Sequence, residues 1–307
     1  MQELELYLMR KYSMFSKDNI KALAYFVGRL LGILGVAFVL YQLSQEYTLE
    51  SFAEKFGEVL FLLFPLWLLN MLSMMLGIFP WHTMLLHYSK VTFPYRVSYY
   101  YFAKTEIAKY LPGNIFHFLG RQLLAKKIHL SQAEMMKVSG LFTFLLVVAT
   151  VLSGTLFLLF VDALEMLYQG LMLLLALVVL GLSLSFFPSF DRLTKLKMSG
   201  VLTLSIALQG IMMGIIIVAQ LEGGSMRLFF EIVGIYIFSW LVGFVTPGAS
   251  GGIGVREGAF ITMAQFLQLD ISSEIILFSV LFIRLVNVAT DLSAYGSTYL
   301  IKDGEYI

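Results

Sequence analysis

The sequence predicts an all-α, polytopic membrane protein. Three observations predict it: 59% of the 307 residues are hydrophobic, 13% are charged, and apolar stretches of spanning length recur along the whole chain. Soluble domains are about 45–50% apolar and about 25% charged, so both departures point the same way, as does the mean hydropathy of +0.84. A helix of about 20 residues crosses a hydrocarbon core of about 30 Å. The 21 basic and 20 acidic residues are too few to coat that much apolar surface in water. A net charge of +1 gives no bulk attraction to nucleic acid. With no cysteine, disulfides, thiol catalysis and thiolate metal sites are excluded. His82, His87, His117 and His129 are scattered, and none forms a metal-like pair inside an acidic motif. No phosphate-loop, zinc-protease, nucleophile-elbow or dinucleotide pattern is present, so no cofactor is expected.

Residues 1–19 are amphipathic, with Arg10, Lys11 and Lys17 against Glu3, Glu5 and Asp18, and read as a surface segment. A first span follows at 20–42; it has no small-residue cleavage site and is expected to stay. The acidic loop of Glu46, Glu50, Glu54 and Glu58 leads to a second span at 59–79, closed by Pro80 and Trp81, which suit an interface. Segment 91–120 differs: it is aromatic-rich and carries Arg96, Lys104, Glu106 and Lys109, with Tyr99, Tyr100, Tyr101 and Tyr110 read as an interfacial belt. Further spans are expected at 138–160, 167–187 and 200–220. An apolar segment at 229–246, a short helix at 255–268 and a last span at 274–300 complete the chain. Polar residues inside the spans, Asn70 and Gln209, read as hydrogen bonds between helices.

Lysine and arginine cluster at the amino terminus, at 90–137 and at 192–197, which places those segments in the cytoplasm. For the charge pattern to hold, 91–120 must enter and leave on the cytoplasmic side and 229–268 on the outer side. The expected architecture is therefore a single transmembrane domain, 1–307, of six full spans plus two re-entrant hairpins. It would sit in the cell (cytoplasmic or inner) membrane with both termini cytoplasmic.

Two helix breakers share a spacing. Pro112-Gly113-Asn114 runs on to Gly120-Arg121, and Pro247-Gly248-Ala249-Ser250-Gly251-Gly252-Ile253-Gly254 runs on to Val255-Arg256. Each is a proline–glycine pair followed by seven residues and an arginine. Proline removes a backbone donor and breaks the helix, and glycine permits the turn that follows. Broken backbone in hydrocarbon is tolerated only where protein or a water-filled cavity covers it. Inverted repeats whose interrupted helices meet near the midplane are a recurrent transporter plan, here with a first repeat core at 20–137 (breaker 111–121) and a second at 200–300 (breaker 246–256). Half-helix starts supply N–H groups to an anion, and an arginine adds a two-pronged donor suited to phosphate.

The last span carries Arg284, Asn287 and Asp291 at offsets that share one helix face. Charges at such depth are expected to point inward and to be paired. The expected anion site comprises Arg121, Arg256 and Arg284 with Asn114, Gly251, Gly252 and Gly254. Glu106, Glu257, Asp291 and Lys109 would serve as ion-pair partners or carry a coupling proton. Pro112, Gly113, Pro247 and Gly248 are the structural breakers. The plainer alternative for the same charges is a set of ion pairs locking helices together.

The run from Gly243 through Thr246-Pro247-Gly248-Ala249-Ser250-Gly251-Gly252-Ile253-Gly254-Val255-Arg256-Glu257-Gly258 resembles the hallmark of the lysylphosphatidylglycerol synthase transmembrane-region family. Lys109-Tyr110-Leu111-Pro112-Gly113 through Gly120-Arg121 is similar to that family's first motif, and the Arg284 to Asp291 helix to its last. The resemblance implies a flippase-like membrane region. The soluble aminoacyl-transferase domain of the best-known members has no counterpart in this sequence, so lipid aminoacylation is not expected of it. The function so implied is a flippase moving an anionic or phosphate-bearing lipid: a phospholipid, aminoacylated lipid, glycolipid or polyprenyl-phosphate-linked intermediate. The alternatives are an intramembrane enzyme acting on a lipid phosphate through Glu257 or Asp291, and a membrane partner of a separate lipid synthase or glycosyltransferase. Expected partners are membrane lipid, such a synthase or glycosyltransferase, or a second copy of the chain, and no nucleic acid.

Overall fold

A computed structural model of the chain describes residues 49–110, 120–123, 125–159, 166–187, 189–246, 252 and 254–301. The expected span at 20–42 and the breaker residues Pro112, Gly113, Asn114, Pro247, Gly248 and Gly251 lie outside them. Among the described residues every regular element is helical. Helix α1 (Leu49–Val59) leads through a 3-10 turn into α2 (Leu63–Tyr88). Helix α3 (Tyr95–Glu106) continues as a 3-10 turn, Ile107–Tyr110. The long helices α4 (Gln132–Leu158), α5 (Met166–Phe186), α6 (Arg192–Val218) and α7 (Met226–Val245) follow. The short α8 (Val255–Phe266) and the long α9 (Ser273–Ser297) close the order.

Helix starts are set by side-chain caps. Ser131, Asp191, Ser225 and Ser272 each accept a hydrogen bond from a backbone N–H in the first turn of α4, α6, α7 and α9, satisfying donors that the helix leaves open. Among the described residues, six helical stretches are long and apolar enough to cross a bilayer: Ala53–Tyr88, Gln132–Leu158, Met166–Phe186, Arg192–Val218, Met226–Val245 and Ser273–Leu300. The chain is a multi-pass, all-α membrane protein. This set differs from the expected spans in one place. Residues 226–245, which hold most of the expected hairpin arm at 229–246, form a helix of full spanning length. By contrast, α3 and α8, at 12 residues each, rise only about 18 Å and are too short to cross.

Small residues set the crossings, as expected where apolar burial does not drive helices together. Ser73 on α2 and Ser205 on α6 each donate to the other's carbonyl, at 2.9 and 2.8 Å. On α6, a β-carbon added at Gly210 would come within 2.8 Å of Val233, and on α7 one at Gly234 would come within 2.5 Å of Leu158. Helix α7 is thereby held between α6 and α4. Helix α5 is peripheral: 11% of its most apolar window is buried against 67% for α4, which assigns its leucines to lipid.

Three local expectations fail for related reasons. Helix α2 does not end at Pro80; it runs on to Tyr88. Tyr95 donates its hydroxyl to the Met75 carbonyl on the same stretch of α2, tying the proline-loosened turn to a neighbouring helix. Trp81 does not lie at an interface but is fully buried. Tyr99, Tyr100 and Tyr101 are likewise buried rather than forming a belt, while the Tyr110 side chain lies outside the described set. Aromatics with a polar tip suit a membrane interface and a core equally well, and here Trp81 and Phe102 stack around the buried Arg121 guanidinium, at 5.4 and 4.9 Å.

Candidate functional site: a charged cavity between the helices

A cavity of about 600 Å³ opens between α2, α3, α4, α6, α7 and α9. Its lining is chemically mixed. Phe142 and Leu146 of α4, Leu202 and Ile206 of α6, and Ile237 of α7 supply apolar surface. Glu106, Lys109, Arg121, Arg256, Arg284 and Asp291 supply charge. The structure thus gathers the predicted arginines, Glu106, Lys109, Asp291 and Gly252 around one space.

The first charged cluster joins α3 to α9. Arg121 donates to Glu106 at 2.9 Å, Lys109 reaches Glu106 at 3.3 Å, and Lys109 also pairs with Asp291 at 2.8 Å. Two cations meet two carboxylates. Arg121 is only 4% exposed. Asp291, expected among the ion-pair partners, pairs with Lys109, which tethers the segment after α3 to the last helix.

The second cluster forms where α7 gives way to α8. Gly252 and Gly254 have φ of +71° and +82°, backbone that glycine adopts without the Cβ clash other residues meet. Gly252 also lies against Gly243 of α7: a β-carbon on Gly252 would sit 3.1 Å from the Gly243 Cα, and one on Gly243 would sit 3.1 Å from the Arg256 Cβ. The glycines let the chain turn hard against α7 and deliver Arg256 to the cavity. Glu257 is 2% exposed and doubly engaged. Its Oε2 accepts the Gly254 N–H at 2.7 Å, and its Oε1 accepts from Arg284. The helix-start donor at Gly254, expected to serve an anion, is therefore taken by the chain's own carboxylate. Glu257 holds Arg284 from outside the cavity wall.

Arg256 stands apart. It is 5% exposed, it lines the cavity, and it donates to the Tyr236 hydroxyl. Among the described residues no carboxylate lies within ion-pair distance of it, and its Nε has no hydrogen-bond partner. The Arg284 Nε is likewise without one. Tyr236, fully buried on α7, was missed at the sequence level; the available signal was a lone tyrosine hydroxyl inside an otherwise apolar run.

A neutral polar cluster completes the walls. Asn70 on α2 donates to Asn287 at 2.8 Å and to Thr290 at 2.9 Å, both on α9. Gln209 on α6 donates to Asn70 at 2.6 Å and to Ser73 at 3.1 Å. The expected interhelical hydrogen bonds of Asn70 and Gln209 are present, and both residues also border the cavity. Arg284, Asn287 and Asp291 share the cavity-facing side of α9, as their spacing predicted. Among the described residues no group of histidine, cysteine and carboxylate side chains is arranged to hold a metal. No family model matches the chain, and no curated protein matches it.

Proposed function

We propose that this chain moves an anionic, phosphate-bearing lipid between leaflets, taking the phosphate at Arg256 and Arg284 while the lipid chains follow the apolar residues of α4, α6 and α7. The observation that carries this reading is the Arg256 guanidinium, buried in the cavity with a tyrosine hydroxyl as its polar partner and, among the described residues, no counter-charge. A buried, unneutralised charge is costly, and a guanidinium's parallel N–H donors match phosphate oxygens. The charged groups on the cavity wall, with Glu257 behind them, leave one positive charge uncompensated, which favours an anion. The apolar residues that line the same cavity favour an amphiphile over a free ion.

In the same reading 91–120 and 229–268 are two re-entrant hairpins that enter from opposite faces as an inverted repeat; α7 has the length to cross but pairs with the short α8, against which it packs, as the two arms of the second hairpin. The basic segment 90–137 and both termini lie in the cytoplasm. The likeness of 243–258 to the lysylphosphatidylglycerol synthase transmembrane region supports the assignment. Glu106, Glu257 and Asp291 are each engaged in ion pairs, which favours transport over acid–base chemistry on the phosphate.

The test is translocation of a fluorescent phosphatidylglycerol in proteoliposomes holding the full chain. Arg256→Ala is expected to cut the rate at least about tenfold, the loss of one charge-assisted phosphate contact. Rates unchanged in both Arg256→Ala and Arg284→Ala would exclude the proposal.

A further inference from the structure

The amide groups of the cavity carry a second conclusion, which rests on the anion-lipid reading and narrows its cargo. Asn70 uses both of its amide hydrogens on Asn287 and Thr290 and its oxygen on Gln209. Gln209 uses both of its amide hydrogens on Asn70 and Ser73. What remains is the Gln209 Oε1, an acceptor, and the Asn287 Nδ2, a donor. Neither has a partner among the described residues, and both residues border the cavity that holds Arg256 and Arg284. The two side chains are fixed by hydrogen bonds to the same asparagine. The free donor and free acceptor are therefore held in place before a ligand arrives, which lowers the ordering cost of binding.

A hydroxyl both donates and accepts, so adjacent hydroxyls fit a rigid acceptor–donor pair. A fully ionised phosphate only accepts, and cannot use the Gln209 oxygen. An ammonium only donates, and would enter a space that already holds excess positive charge. The carboxylates on that wall, Glu106 and Asp291, are ion-paired. We infer that Gln209 and Asn287 form a subsite for the uncharged, hydroxylated part of a head group, and that the cargo is a phospholipid headed by a polyol or sugar rather than a bare lipid phosphate or an amine-headed lipid.

The experiment is native mass spectrometry of the purified full chain with four lipids of matched acyl chains: phosphatidylglycerol, phosphatidic acid, lysyl-phosphatidylglycerol and phosphatidylcholine. Phosphatidylglycerol is expected to bind at least about tenfold tighter than phosphatidic acid, the worth of two net hydrogen bonds. Lysyl-phosphatidylglycerol should bind more weakly than phosphatidylglycerol. Asn287→Leu, which leaves Asn70 bonded to Thr290, should bring phosphatidylglycerol down to the level of phosphatidic acid without moving phosphatidic acid. Gln209→Met is the second variant, and the wild-type ratio decides the matter if neither variant folds. Equal binding of phosphatidylglycerol and phosphatidic acid, both lost in Arg256→Ala, would overturn the hydroxyl subsite and leave the anion site standing. Tighter binding of lysyl-phosphatidylglycerol would also overturn it. Binding of all four lipids at the level of phosphatidylcholine would overturn the anion-lipid reading itself.

Discussion

The two charged clusters of the cavity are built from similar parts and end in different electrostatic states. Around α3, Lys109 and Arg121 meet Glu106 and Asp291, and the charges balance. Around α8, among the described residues, Glu257 pairs with Arg284 and no carboxylate pairs with Arg256, so one positive charge is left over. A carboxylate divided between two cations locks helices together; a guanidinium facing a cavity without a counter-charge recruits one. The difference assigns the plainer role, helix locking, to the first cluster and ligand binding to the second, although the sequence presented both as a proline–glycine breaker followed by an arginine.

The sharpest way to break that comparison is to delete one arginine from each cluster. Arg121→Ala removes the partner of Glu106 and a guanidinium packed on Trp81 and Phe102, and should cost about 3 kcal/mol of stability, as for other broken buried pairs. Arg256→Ala removes an uncompensated charge and should leave the thermal midpoint unchanged or higher while transport fails. Thermal unfolding in detergent of the two variants decides it: equal destabilisation would mean that both clusters are structural.

A smaller effect is expected at Glu257. Glu257→Gln keeps an acceptor for the Gly254 N–H but weakens the hold on Arg284, which is partly exposed; about 1–2 kcal/mol should be lost, and binding of anionic lipid should rise because a second guanidinium is freed. Weaker lipid binding in this variant would show that Glu257 serves the ligand rather than restraining Arg284.

Gly252→Ala probes the turn that delivers Arg256. The backbone at φ +71° and the Gly243 Cα at 3.1 Å from the added carbon should cost about 1–2 kcal/mol and lower transport more than stability alone explains. Normal transport would detach the turn from the site.

The smallest effect lies outside both clusters. Asp191 accepts the hydroxyl and backbone N–H of Thr194, which holds its carboxyl below the usual carboxylate value. Its contribution is present above the ordinary pKa of an unfolded aspartate and is lost as pH falls through the lower folded value. Asp191→Asn should therefore narrow the stability difference between neutral and strongly acidic solution without touching transport. An unchanged acid profile would remove the cap from the account.

Much of this was legible in the sequence, and the gaps have physical causes. The membrane environment, five of the expected spans and the single polar face of α9 follow from hydropathy and 3.6-residue spacing. The amides Asn70 and Gln209 were readable because an uncharged polar group in an apolar run needs a partner. Trp81 and Tyr99–Tyr101 were misplaced because composition does not distinguish a lipid interface from a core wrapped around arginine. Pro80 was read as a terminus because a sequence does not show that Tyr95 reaches Met75. Pairings such as Lys109 with Asp291, far apart in the chain, depend on tertiary placement. So does the feature that matters most, the absence, among the described residues, of a carboxylate at Arg256.

The most direct test is a high-resolution structure of the full chain in nanodiscs containing phosphatidylglycerol. A phosphate with oxygens within about 3 Å of the Arg256 guanidinium, its lipid chains along α4, α6 and α7, is the predicted result. A phosphate bound instead at Lys109 and Arg121, or a cavity holding only water beside Arg256, would contradict the account.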